Sequence, residues 1–193
     1  MLEYDWPRLH AALNDLPIGL LFTAVLFDVL ALATGRESFR HVSFWALIVG
    51  AVGGAAAVLS GLQAEEDISH GDAVHRVMET HELLAFVTLG VFGVLALWRI
   101  FRDRRMGSRE RALGVLLSIA GAGVLFATGL YGGRLVFDHA AGIPTEVLQG
   151  ELQERGRDHT HEPGQEHAVP TADSTPGTSS EHVDPPGTPP HEH

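Results

Sequence analysis

LPIGLLFTAVLFDVLALAT, Leu16 to Thr34, carries a single charged residue, Asp28, and reading this stretch decides the fold. A helix crosses a hydrocarbon core about 30 Å thick with about twenty apolar residues, because it closes its own backbone hydrogen bonds where water is absent. Three further stretches have the same character: Val42–Leu62, Leu83–Trp98 and Ala112–Tyr131. The third is the shortest. His81 and Glu82 extend it at one end, and Arg99 at the other can reach the interface along its aliphatic stem. The sequence therefore predicts an all-α fold, a four-transmembrane-helix bundle with helices at 16–34, 42–62, 81–99 and 112–135, within a membrane domain of residues 1–149. The leader before the first block holds Glu3, Asp5 and Asp15 against Arg8, whereas secretory leaders are positive, so this block reads as a span.

The formal net charge is −11. The segment 150–193 supplies −7 of it, through nine acidic residues against Arg155 and Arg157. All thirteen basic residues are Arg, and there is no cysteine, so any metal must be held by His, Met, carboxylate or backbone oxygen. Seven of the ten prolines and six of the twelve histidines fall in 150–193, a composition that cannot bury a core. This acidic His/Pro-rich tail is expected to be disordered, after a short amphipathic helix over Thr145–Arg157.

Arginine placement sets the expected orientation, since short cytoplasmic loops collect positive charge. The first loop has Arg36 and Arg40, and the third has Arg99, Arg102, Arg104, Arg105, Arg109 and Arg111. The second, Gln63 to Glu82, holds six acidic residues and Arg76 alone. The expectation is a multi-pass protein of the bacterial inner (plasma) membrane, with both termini and the acidic loop outside. Gly50, Gly53, Gly54 and Gly61 in the second helix, and Gly121, Gly123, Gly129 and Gly133 in the fourth, offer faces for close helix approach.

On that topology His10, His70, His75, His81 and His139 are outward and His41 is inward. Neutral imidazole is a common metal ligand and haem axial ligand, although interfacial histidines also simply hydrogen-bond at the headgroup boundary. His81 has Met78 three residues earlier on nearly the same helical face, so thioether and imidazole can address one iron or copper. Asp28 is costly in hydrocarbon and must be paired, protonated or turned into the bundle. Counting about 1.5 Å per residue places it level with Ser118, its expected hydrogen-bond partner. Arg134 near the outer end of the fourth helix can meet a carboxylate, including a haem propionate, or pair with Asp138.

The run Leu9-His10-Ala11-Ala12-Leu13 leading to Leu16-Pro17-Ile18, the His81 start of the third helix, and Gly129 through His139 continuing to Ala140-Ala141-Gly142-Ile143 resemble the bacterial membrane family named domain of unknown function 2231. The likeness covers Arg8 to Thr145. The family typically reads His-Pro at the first of these places, with a second histidine shortly before Pro-Ile. Here Ala11 and Asp15 stand instead, which removes a second N-terminal imidazole. The resemblance implies a four-helix architecture similar to that of small haem-bearing membrane cytochromes.

The leading functional expectation is a non-catalytic electron-transfer subunit holding haem b near the outer face. His81 and either His10 or His139 would be its axial ligands and Arg134 its propionate contact. Its partners would be the lipid bilayer and a redox or membrane-protein partner. The second is a divalent-metal-handling protein using the acidic second loop, His70, His75, Met78 and the tail. The third is a structural or assembly protein without cofactor, whose Arg-rich third loop binds anionic lipid or a cytoplasmic partner. No phosphate loop, nucleophile elbow, zincin helix or thiolate pair points to an enzyme. The Arg-rich loop is explained by topology rather than by nucleic-acid binding.

Overall fold

The computed structural model describes residues 5–68 and 71–158. Four long helices follow one another: α1 Trp6–Thr34, α2 Glu37–Asp67, α3 Asp72–Arg102 and α4 Ser108–Phe137. All four are long and apolar enough to cross a membrane. At about 1.5 Å per residue each is roughly 45 Å long, so its ends stand beyond a hydrocarbon layer of about 30 Å. A shorter helix, α5, covers Thr145–Asp158. It matches the short helix expected over Thr145–Arg157 and runs past Gly150, the expected boundary of the tail. The histidine-rich segment 159–193 and His70 lie outside the described residues.

Local chemistry explains where the helices stop. Asp5 caps α1 by accepting from the Arg8 N–H at 3.0 Å, and Pro7 occupies the first turn, where no donor is needed. Gly35 ends α1 with φ +68°, a left-handed conformation that costs glycine little, and α2 starts two residues later. The α2–α3 connection shrinks to 68–71, far shorter than the loop read from hydropathy. His75, expected in the loop, consequently sits on α3 together with Met78 and His81. Polar residues continue a helix beyond the hydrocarbon without weakening it, and hydropathy registers only the lipid-immersed part.

Large apolar side chains cover the outer faces as well as the core. Trp45, Val52, Val94, Phe101 and Phe126 are exposed on the helix surfaces, as expected where lipid is the solvent. The interior is Leu21, Ala24, Ala46, Leu47, Phe92, Leu95, Ala96 and Leu125. The main packing runs α1 on α2 and α3 on α4, with lighter α2–α3 and α1–α4 contacts, so α1 and α3 face one another across the bundle. Close approach needs glycine. A Cβ on Gly50 would lie 2.8 Å from Leu21 Cδ2, and one on Gly121 would lie 2.9 Å from Val91 Cγ1.

Candidate functional site

At the end of the bundle that carries the N-terminus and the α2–α3 turn, two imidazoles enter the interior from opposite helices. His10 on α1 places Nδ1 2.9 Å from the Ala57 carbonyl oxygen and 3.2 Å from Ser60 Oγ, both on α2. His81 on α3 places Nδ1 2.9 Å from the Thr128 carbonyl oxygen on α4. A carbonyl only accepts, so each Nδ1 carries the proton and each Nε2 keeps its lone pair. The Asn14 amide donates to His10 Nε2 at 3.1 Å, consistent with that tautomer. An Nδ1–H held by a backbone carbonyl is the usual device that aims Nε2 at a metal.

Glycine makes room for both rings. A Cβ on Gly61 would sit 2.9 Å from His10 Cε1, and one on Gly132 would sit 3.0 Å from His81 Cε1. The ring centres are 6.4 Å apart with their planes at 85°. Two in-line metal–imidazole bonds of about 2.1 Å span about 4.2 Å, which leaves about 1.1 Å at each end, close to the radius of the ring itself. The separation is of the length of two metal–imidazole bonds, and a metal there would take the His10 Nε2 lone pair that now accepts from Asn14.

The rings open on a cavity of about 670 Å³, within the range of about 300–1,000 Å³ common for cofactor pockets. Its walls are apolar and built largely of small residues, including Ala51, Gly54, Ala85 and Gly129, with Met78 and Phe92 contributing bulk. Asp15, Glu65 and Glu82 also line it.

The two hairpins repeat one set of contacts. His10 reaches Ala57, and His81 reaches Thr128, each over 47 residues. The two sets are related by a constant 71-residue step, the separation that also relates Asp28 to Arg99. That step carries His10 onto His81, Leu21 onto Phe92, Gly50 onto Gly121 and Gly61 onto Gly132. The matched residues include identical His10 and His81, Gly50 and Gly121, and Gly61 and Gly132, the signal that a comparison of the sequence with itself offers.

Toward the other end, the intramembrane charge is paired differently from the sequence expectation. Asp28 accepts from Arg99 at 2.5 Å and from the Ser43 hydroxyl, and Arg99 also donates to Ser43 Oγ at 2.8 Å. Asp28 and Arg99 are buried. Ser118 instead donates to the Val115 carbonyl oxygen at 2.9 Å, so the expected Asp28–Ser118 contact is replaced. Counting rise along a helix gives depth but not the direction around its axis. Nor does Arg99 run to the interface, since a carboxylate at its own level holds it inside.

The remaining candidates separate from the imidazole pair. His139 is half-buried beyond the end of α4 and does not line the cavity. Arg134 stays near the surface, 3.5 Å from Asp138 and 5.3 Å from the Tyr131 ring centre. His75 is exposed and lies 3.4 Å from Glu79. Among the described residues no three His, Asp or Glu side chains converge as a metal cluster. The structure thus brings His10, His81 and Met78 to one cavity and leaves His139, Arg134 and His75 outside it. Asn14, Thr128, Ser43 and Arg99 are the polar contacts that sequence reading had not paired.

Residues 7–145 match the family model described as a predicted membrane protein, domain of unknown function 2231. No curated protein and no solved structure matches the chain. A match over most of the length, together with four helices able to span a bilayer, leads to one identification: this chain belongs to the membrane protein family of domain of unknown function 2231.

Proposed function

We propose that this membrane protein is an electron-transfer subunit in which His10 and His81 would hold one b-type haem. The observation that carries this reading is the opposed pair of imidazoles, each with Nδ1 held by a helix carbonyl and with ring centres 6.4 Å apart. A bound haem would supply a one-electron couple. The chain's own residues orient both rings, seat them against Gly61 and Gly132, and surround them with mostly small apolar walls. Arg134 is not part of this reading, because its guanidinium lies beside Asp138.

Asp15, Glu65 and Glu82 at the cavity favour a second reading, in which a bare divalent cation is held there. Two imidazoles are fewer ligands than the four usual in a structural zinc site, and about 670 Å³ of apolar-walled space exceeds what an ion needs. Haem uses both features. The orientation that accompanies this proposal puts the histidine end outside and the arginine-bearing turns inside a bacterial plasma membrane.

The test is the visible spectrum of protein purified in detergent from haem-replete cells. A Soret band that sharpens on reduction and is lost in both His10→Ala and His81→Ala is the expected outcome. A colourless wild-type preparation would sink the reading. A colourless preparation containing stoichiometric metal by plasma mass spectrometry would establish the second.

A further inference from the structure

A second cavity, about 210 Å³, lies at the arginine end of the bundle, where α2 and α4 begin. Four arginines line it: Arg36, Arg40, Arg99 and Arg111. Two of them are neutralised. Arg99 is bonded to Asp28 at 2.5 Å, and Arg40 bridges Glu37 at 2.7 Å and Asp103 at 3.2 Å. Arg36 lies over the Phe39 ring at 5.2 Å, with no carboxylate partner among the described residues. Arg111 has its Nε buried with no hydrogen-bond acceptor.

The repeat shows what Arg111 lacks. The 71-residue step that relates the hairpins carries Arg40 onto Arg111. The same step relates the two carboxylate partners of Arg40, Glu37 and Asp103, to Ser108 and Leu32. Both of these line the cavity. Where the first arginine meets two carboxylates, the positions equivalent to those carboxylates hold a hydroxyl and an apolar side chain, and both line the cavity with Arg111.

We propose that this cavity binds a phosphate group, with Arg111 and Arg36 as its charged contacts and the Ser108 hydroxyl as a further donor. A tetrahedral oxyanion offers oxygens to all three donors at once, and a planar guanidinium can engage two of them in parallel. The N-termini of α2 and α4 add the positive ends of two helix dipoles. The volume accepts a phosphate group but not a nucleotide. The group can come from an inner-leaflet phospholipid or from free phosphate, since the site sits at the helix ends where headgroups lie.

The full chain in lipid-free detergent is titrated with inorganic phosphate while its thermal unfolding is followed. In a second arm it is placed in nanodiscs of phosphatidylglycerol or phosphatidylcholine, and retained lipid is counted by native mass spectrometry after gentle extraction. Arg111→Gln and the double variant Arg36→Gln/Arg111→Gln are compared with Arg102→Gln, whose guanidinium pairs with Glu110 outside the cavity lining. Circular dichroism verifies that each variant keeps its helices. Phosphate binding weakened at least tenfold by Arg111→Gln identifies a free-anion site. Selective retention of phosphatidylglycerol, lost in Arg111→Gln and kept in Arg102→Gln, identifies a headgroup site. The proposal is overturned if wild-type protein binds neither probe, if the cavity variants behave as wild type, or if Arg102→Gln loses as much as Arg111→Gln.

Discussion

Breaking the buried Asp28–Arg99 pair should be the most destabilising single change in the bundle. The two side chains are only 5% and 9% exposed and are joined at 2.5 Å, with Ser43 bonded to both. Removing one member leaves the other charge buried without its partner, at a cost of about 3–5 kcal/mol. Asp28→Leu and Arg99→Leu should each lose that much. The double variant Asp28→Leu/Arg99→Leu should be near wild-type stability or up to about 4 kcal/mol more stable, because it removes both desolvation costs at once. Ser43→Ala should lose about 1.5–3 kcal/mol, the usual value of a hydrogen bond to a charged group. The assay is reversible unfolding in mixed detergent micelles followed by circular dichroism, arranged as a double-mutant cycle so that the coupling is read directly. Single variants costing less than about 1 kcal/mol and adding independently would refute the reasoning, because a pair held this way inside lipid cannot be uncoupled.

Other outcomes follow from the same geometry. Gly61→Ala and Gly132→Ala each bring a methyl to about 3 Å from an imidazole carbon and should lose about 1–3 kcal/mol, as overpacked sites do, with lower cofactor occupancy by absorbance. His139→Ala should leave the spectrum of the protein unchanged, since this side chain does not line the cavity. If the proposed haem is bound, replacing Glu65 with Gln should raise its midpoint potential in a redox titration, because a carboxylate lining the cavity would favour the more positive oxidised state. Deleting residues 159–193 should alter neither the Soret band nor the unfolding midpoint measurably, since a segment of this Pro-, His- and acid-rich composition buries no core.

The spans were legible because lipid imposes a simple count, about twenty apolar residues for each crossing. Helix ends were not, because caps and polar turns decide them. Hydropathy could not see that α3 starts at Asp72, nine residues before the expected start at His81. Of the imidazoles expected at the outer level, His10 and His81 meet because both point toward the bundle interior. His139 has a similar expected depth but follows the last turn of α4, where nothing turns it inward. Asp28 was legible as an inward residue. Its partners were not, since Ser43 and Arg99 differ from Ser118 in direction around the bundle rather than in level. The self-similarity of the chain holds the missing information, since it sets Asp28 and Arg99 at equivalent places.

That equivalence decides which halves can mate. Two copies of the α1–α2 hairpin, docked as α1–α2 docks on α3–α4, would bring Asp28 against Asp28; two copies of α3–α4 would oppose Arg99 to Arg99. Like charges that close in a medium with little screening repel strongly. Only the mixed union neutralises itself, so one residue in each half encodes partner choice, and the cleft holding both imidazoles is completed only when unlike halves join.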